Sequence, residues 1–173
     1  MEKKKEAIHF VATGGTIDSF YNGIKDTATP RKESIIPAYL EMLKLYEKVK
    51  FTQVCMKDSR ELTKADLQKI LKTVEKSPYS KIIITHGTYT MPDTARFLKN
   101  NLKKKNQTII LTGSMIPLEG FSPSDGGFAL GYAIAQIQIL PAGIYVCMNG
   151  KVFNPDEVVK VLSEGRFSSV FNK

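Results

Sequence analysis

Short apolar runs separated by amphipathic stretches are the feature that most restricts the fold of this chain. They predict strands near residues 7–13, 50–56, 81–86, 107–113 and 143–148. They predict helices near residues 35–48, 64–76, 92–102, 125–138 and 155–162. The runs at 81–85 and 108–112 are apolar on both faces, as in strands that lie between two layers of helices. The pattern therefore predicts an α/β fold with a three-layer, doubly wound, mainly parallel sheet of flavodoxin-like or Rossmann-like type.

Length and composition fit one globular domain over residues 1–173, because a chain of this size has little room for two full cores. Its 42% hydrophobic and 24% charged residues are typical of a soluble protein. No apolar run approaches the roughly 20 residues that a membrane helix needs, so we expect no membrane association. Cys55 and Cys147 lie in apolar runs without metal-ligand spacing, which favours free thiols, no metal site and a cytoplasmic location.

The excess of positive charge, 25 Lys and Arg against 17 Asp and Glu, would attract nucleic acid or anionic surfaces. The positive residues, however, cluster at a chain end, a predicted helix end and a loop. Aromatic residues are not interleaved with them, as they are in proteins that bind single strands. We therefore expect no nucleic-acid partner.

Glycines and hydroxyl side chains follow the predicted strands. The segments are Thr13-Gly14-Gly15-Thr16, Asp58-Ser59-Arg60, His86-Gly87-Thr88-Tyr89 and Gly113-Ser114. In doubly wound sheets, ligands bind at the carboxyl ends of the strands, where glycines free backbone N–H groups and hydroxyls can act as nucleophiles. Gly14-Gly15 lacks the spacing of dinucleotide and phosphate loops. Taken alone, Thr16 or Thr88 is more often a turn or cap residue, but two such turns on one sheet favour a site.

A base for such a nucleophile is not provided by a recognised histidine motif. His9 and His86 lie in or at the end of predicted strands, without the sequence patterns of α/β-hydrolases or zinc hydrolases. A lysine with a lowered pKa is the usual substitute. Lys160 has apolar neighbours on both sides: on a surface helix it would point to water, whereas in a buried segment it would be paired or neutral and suited to be a base.

Three motifs together resemble the bacterial-type L-asparaginase (asparaginase/glutaminase) family. They are T-G-G-T-I at 13–17, H-G-T-Y-T-M at 86–91, and T-G-S-M at 112–115 followed by S-D-G at 124–126. The resemblance runs in order from about residue 8 to about residue 165. It implies hydrolysis of L-asparagine to L-aspartate and ammonia without a metal or organic cofactor. It also implies a homo-oligomer, either a dimer or a tetramer.

The resemblance also implies residue roles. Thr16 corresponds to the nucleophile, Thr88 and Lys160 to its cooperating threonine and base, and Tyr21 to a tyrosine on a mobile loop that assists Thr16. Ser59 corresponds to the serine that receives the substrate α-carboxylate. The substrate-binding residues implied are Gly15, Ser59, Arg60, Gly87, Tyr89 and Ser114.

The chain departs from the family pattern in two ways. Tyr89 stands where the family usually has aspartate and Arg60 where glutamine often follows the serine, and both changes favour anions over ammonium groups in the site. The chain is also about half the common length, so it resembles a short form that corresponds to the N-terminal domain, with no C-terminal domain. The alternative function is a catalytically weak module that binds aspartate or another dicarboxylate.

Overall fold

The computed structural model describes residues 5–171. Its strands are β1 (Lys5–Gly14), β2 (Ser19–Asn22), β3 (Thr27–Pro30), β4 (Val49–Lys57), β5 (Tyr79–Thr85), β6 (Thr108–Thr112), β7 (Gly143–Met148), β8 (Lys151–Phe153), β9 (Val158–Val161) and β10 (Arg166–Ser169). Its helices are α1 (Ile36–Met42), α2 (Lys64–Lys76), α3 (Met91–Asn101) and α4 (Gly126–Ile139).

The main sheet has six strands in the order β4-β1-β5-β6-β7-β8. The first five strands are parallel and β8 pairs antiparallel with β7 at one edge. The chain leaves β1 toward one side of the sheet to form β4 and then crosses back to form β5 on the other side of β1. The strand order therefore reverses between β1 and β5, which is where ligands bind in sheets of this kind.

Helices cover both faces of this sheet. Along β5, Ile82 and Ile84 face a core that includes α2 and α3, and Ile83 faces a second core that includes α1 and α4. All three isoleucines are fully buried. The predicted α/β class, with a three-layer, doubly wound, mainly parallel sheet, is thereby confirmed. Helix α2 begins with a capping box, in which Thr63 accepts from the Asp66 backbone and Asp66 accepts from the Thr63 backbone.

The helix predicted over 155–162 is wrong. This segment forms a turn that leads into β9, and β9 pairs with β10 as an antiparallel hairpin. Three of the four β9 residues are valines, whose branched side chains fit a strand better than a helix, and the Asn154 side chain accepts from the Asp156 backbone in a turn. On a strand, Val158 and Lys160 share a face, and Val158 is fully buried.

Two other differences concern the segment between β1 and β4. The helix predicted over 35–48 is shorter in the structure, where α1 ends at Met42. Lys44, two residues later, has a φ of 51° in the left-handed region, which does not continue a helix. The loop after the first glycine-rich turn contains the hairpin of β2 and β3, in which Tyr21 pairs with Ala28.

The two cysteines are free thiols, Cys147 buried and Cys55 partly buried. Across the described part of the chain, none of the helices has both the length and the apolar character to cross a membrane.

Candidate active site

Three loops at the carboxyl end of the sheet touch each other through their smallest residues. A Cβ atom at Gly15 would lie 2.4 Å from the Cα and backbone nitrogen of Gly87. A Cβ atom at Gly87 would lie 2.7 Å from the Cβ of Ser59. No side chain fits at either glycine, so the loops that follow β1, β4 and β5 can approach this closely only because both positions are glycine. Thr16 and Thr88, which follow these two glycines in the chain, therefore lie on neighbouring loops at the switch point.

The first of these loops is held by the end of β4. The Gly15 N–H donates to the Lys57 carbonyl at 2.9 Å. Gly14 and Gly15 have φ values of 92° and 84°, which other residues rarely adopt. The chain then enters a 3-10 turn at Thr16–Asp18, with Thr16 partly exposed. The Asp18 N–H donates to the Gly15 carbonyl at 3.2 Å, which closes this turn directly after the glycine pair.

Lys160 reaches the second threonine. Its Nζ atom donates a hydrogen bond to Thr88 Oγ1 at 2.6 Å, although the two residues are 72 positions apart in the sequence. Thr88 is buried and Lys160 is partly buried. The strand β9 therefore carries Lys160 inward to the site, and the interpretation of Lys160 as a solvated residue on a surface helix is wrong.

Two cations lie on the ring of Tyr89. The ring centroid is 4.0 Å from Lys160 Nζ and 4.5 Å from Arg60 Cζ. Asp58, which the sequence analysis did not single out as a site residue, binds the Arg60 guanidinium through both carboxylate oxygens, at 2.9 and 2.8 Å. The Arg60 backbone N–H also donates to Asp58 at 2.9 Å. The ring of Tyr89 is therefore in contact with both Lys160 and an ion-paired Arg60.

These contacts lower two pKa values, that of the Lys160 ammonium and that of the Asp58 carboxyl. Burial, followed by the positive charge of Arg60, lowers the pKa of Lys160, and the charge of Asp58 partly opposes this shift. The hydrogen bond from the Arg60 side chain lowers the pKa of Asp58 despite some burial of that carboxyl. Lys160 is thus closer to the neutral amine than an exposed lysine is, and a neutral amine can accept a proton.

The buried His86 side chain connects the Gly87-Thr88 loop to α3 through hydrogen bonds. Its Nδ1 lies 2.7 Å from the Gly87 carbonyl oxygen, and its Nε2 lies 2.9 Å from Thr94 Oγ1 on α3. A carbonyl only accepts, so Nδ1 carries the proton and Nε2 accepts from Thr94. Burial lowers the pKa of His86 to about 4, so the ring stays neutral at pH 7.

A buried neutral histidine makes folding sensitive to acid. The pKa of His86 is about 4 when folded and about 6.5 when unfolded, so between these values the unfolded chain binds more protons and stability falls as the pH falls. This one group should lower the free energy of unfolding by about 2 kcal/mol between pH 7 and pH 5. Urea denaturation of wild type and His86→Gln at both pH values measures the effect. We expect a smaller pH dependence in the variant, and an equal dependence would contradict the assignment.

Further residues support the site without having been predicted. Thr90 donates through its backbone N–H to Ser59 Oγ at 3.3 Å and through its hydroxyl to the Ser59 carbonyl at 2.9 Å. Arg96 of α3 donates to the carbonyl oxygens of Pro155 and Val158, at 3.1 and 3.5 Å, and so joins α3 to the start of β9. Only the fold shows these roles, because the sequence gives no sign that β9 lies beside α3.

Two predicted site residues are engaged elsewhere. Tyr21 lies in the hairpin of β2 and β3 with 55% of its surface exposed, and its hydroxyl donates to Asp26 at 2.5 Å. This hydrogen bond raises the pKa of Tyr21. Ser114 is buried, and its hydroxyl donates to the Ile116 carbonyl at 2.5 Å. The direct contacts among the predicted site residues thus form two groups around the loop after β5. One group is Gly15, Ser59 and Gly87. The other is Arg60, Thr88, Tyr89 and Lys160.

Comparison with solved structures gives the same fold. A probable cytoplasmic L-asparaginase from Campylobacter jejuni superposes with a TM-score of 0.81 and 28% identity, over 95% of this chain and 53% of that one. The thermostable L-asparaginase from Thermococcus kodakarensis gives a TM-score of 0.81 and 26% identity, over 94% of this chain and 51% of that one.

Comparison with curated proteins and family models agrees with this. A glutaminase-asparaginase from Pseudomonas fluorescens biotype A is 31% identical over 165 residues, covering 88% of this chain and 45% of that protein. One from Acinetobacter glutaminasificans is 30% identical over 168 residues, covering 90% of this chain and 50% of that protein. This chain thus spans about half the length of these relatives. The family model described as "Asparaginase, N-terminal" matches residues 7–170. The chain therefore belongs to the asparaginase family, and what it shares is the family's N-terminal domain.

Proposed function

We propose that this domain hydrolyses L-asparagine to L-aspartate and ammonia through a threonine nucleophile. The single observation that carries the proposal is the 2.6 Å hydrogen bond from Lys160 to Thr88, made beside the contact between Gly15 and Gly87. A partly buried amine on a buried hydroxyl is what an amidohydrolase without a histidine base requires. The names of the relatives, L-asparaginase and glutaminase-asparaginase, support the same chemistry.

The first half of the reaction is acyl transfer to Thr16. Its Oγ attacks the side-chain carboxamide carbon, and the backbone N–H groups of Thr16 and Thr88 stabilise the negative charge that develops on the carbonyl oxygen. The Gly15 N–H is not one of these donors, because it is bound to the Lys57 carbonyl. The carbon–nitrogen bond breaks, and the nitrogen leaves as ammonia after it has taken up the proton lost by Thr16.

The second half is hydrolysis of the resulting ester. Thr88 and Lys160 take a proton from water, the water oxygen attacks the ester carbon, and Thr16 recovers its proton as the acid leaves. The lowered pKa of Lys160 favours the amine form that this step needs. We keep Tyr21 as the proposed group that assists Thr16, which requires its hydroxyl to leave Asp26.

The test is ammonia release from L-asparagine and from L-glutamine by the purified protein, with and without hydroxylamine. Hydroxylamine competes with water for an acyl-enzyme, so we expect a hydroxamate to form at the expense of the free acid. Ammonia release without a hydroxamate would argue against the covalent route. The absence of both products in folded protein would contradict the proposed activity. The alternative of a weak ligand-binding module is not favoured, because the curated relatives are named as enzymes.

We also propose that copies of the chain associate through the outer face of α4. Phe128 is 61% exposed and Ile139 is 75% exposed on this helix, and the Phe128 ring stacks on Tyr132 at 6.2 Å. Apolar surface of this kind is stabilised by burial against a second copy. Light scattering should give a multiple of the 19.3 kDa chain mass, and the monomer mass would contradict the proposal.

A cytoplasmic location is proposed on two grounds. The cysteines are free thiols, and one structural neighbour is named as a probable cytoplasmic L-asparaginase. Fractionation of the source cells, with periplasmic and cytoplasmic marker enzymes, checks this location.

A further inference from the structure

Three aspartates at the carboxyl end of the sheet are already bound to protein groups. Asp58 holds both oxygens against Arg60. Asp18, just after Thr16, is buried and accepts hydrogen bonds from the Ser34 hydroxyl and the Ile35 N–H, at 2.9 and 2.8 Å. Asp125 accepts from the backbone of Met115 and Ile116. Among the described residues of these loops, each of these three aspartates is thus engaged, and a substrate ammonium would have to displace an existing partner.

Arg60, in contrast, keeps N–H donors that have no hydrogen-bond partner among the described residues. Asp58 binds Nε and Nη2 of Arg60, and a guanidinium has five N–H donors, so those of Nη1 remain for another acceptor. The Arg60 side chain is 62% exposed, so these donors can reach a ligand. Lys160 also lies over the ring of Tyr89, with its Nζ atom 4.0 Å from the ring centroid. The ring of Tyr89 is therefore approached by two cations, of which Arg60 is paired with Asp58.

The ring of Tyr89 is a poor binding site for a substrate ammonium. Cation–π contact uses the face of an aromatic ring, and the ring of Tyr89 is already approached by Lys160 and Arg60. A third cation placed here would be repelled by both. A carboxylate placed here would be attracted by both, with Ser59 and Arg60 beside it at the end of β4.

We propose that this site prefers a monoamide of a dicarboxylic acid that lacks an α-amino group over the corresponding amino-acid amide, an inference that rests on the proposed function. The free carboxylate of the substrate binds Arg60 and Ser59, and the carboxamide lies toward Thr16 and Thr88. Tyr89 is the specificity-determining residue, because its ring is already approached by both cations and supplies no carboxylate for a substrate ammonium.

The experiment compares ammonia release from succinamate and from L-asparagine, which differ only in the α-amino group. An unpaired charge in such a site weakens binding by about 10-fold to 100-fold, so we expect kcat/KM to be at least about 10-fold higher for succinamate. In Tyr89→Asp, a carboxylate at this position should shift the ratio toward L-asparagine by at least about 10-fold. In the matched control Tyr89→Phe, which keeps the ring, the ratio should stay as in wild type.

Each outcome separates this inference from the proposed function. Equal kcat/KM values, or a preference of wild type for L-asparagine, would overturn the inference and leave the amidohydrolase intact. A ratio in Tyr89→Asp that equals that of wild type would overturn the role of Tyr89. Release of ammonia from neither substrate would contradict the proposed function itself. Calorimetry of succinate and L-aspartate with wild type then tests the charge preference without turnover, and tighter binding of L-aspartate would overturn the inference.

Discussion

Replacing Thr16 by alanine should reduce ammonia release from an amide substrate by at least about 1,000-fold, with the fold unchanged. Thr16 is partly exposed at the start of the 3-10 turn, so the loss of its hydroxyl and methyl leaves little new cavity. The reaction without it would need a water to attack the amide directly. The measurement is kcat/KM for ammonia release, together with hydroxamate formation, which should disappear in the variant.

Two control variants test whether the loss of activity is due to the Thr16 hydroxyl. Thr16→Ser keeps a nucleophilic oxygen and should retain more activity than Thr16→Ala. Thr27→Ala removes an exposed threonine from the nearby β3 strand and should match wild type. If Thr16→Ala kept a tenth or more of the wild-type activity, Thr16 would not be the nucleophile, and Thr88 would be the next hydroxyl to test.

The fold could be predicted largely because its strands are buried on both faces. Runs such as the one containing Ile82, Ile83 and Ile84 are compatible with few structures other than a central parallel strand. The glycine-rich turns then had to follow the strand ends, and the contact of Gly15 with Gly87 agrees with that placement.

Lys160 shows where sequence patterns fail. A run of four residues with three valines is too short to distinguish a strand from a helix by periodicity. The sequence therefore did not determine whether Lys160 faces the protein interior or the solvent. It depended on pairing with β10, which the sequence did not indicate, because β10 ends in a serine pair and contains one buried phenylalanine.

The charge pattern around Tyr89 was only partly predictable. The tyrosine at position 89, where the family usually has aspartate, was visible from the motif. Asp58, however, lies two residues before Arg60 in a segment that reads as a turn, and its bidentate contact depends on side-chain geometry. The result matters for the electrostatics, because this contact neutralises the charge of Arg60 in part and leaves Lys160 less strongly repelled.

Replacing Lys160 by methionine should lower kcat for amide hydrolysis by about 100-fold to 10,000-fold, the range that a general base contributes. The variant keeps the length and apolar stem of the lysine but loses the amine that contacts Thr88 at 2.6 Å. Since the base acts as the neutral amine, wild-type kcat should rise with pH until the pKa of Lys160, which is lowered from 10.5, is passed. Lys160→Met should lose this rise.

Arg60 and Lys151 supply the controls for that assignment. The positive charge of Arg60 helps to lower the pKa of Lys160, so Arg60→Met should move the rising limb of the pH profile to higher pH. Lys151→Met removes an exposed lysine from β8 and should leave kcat and the pH profile as in wild type. A rising limb that persists unchanged in Lys160→Met would show that another group is the base. The proton would then have to leave Thr88 or the attacking water by a route that does not use β9, and the hydrogen bond to Lys160 would serve only to orient the Thr88 hydroxyl.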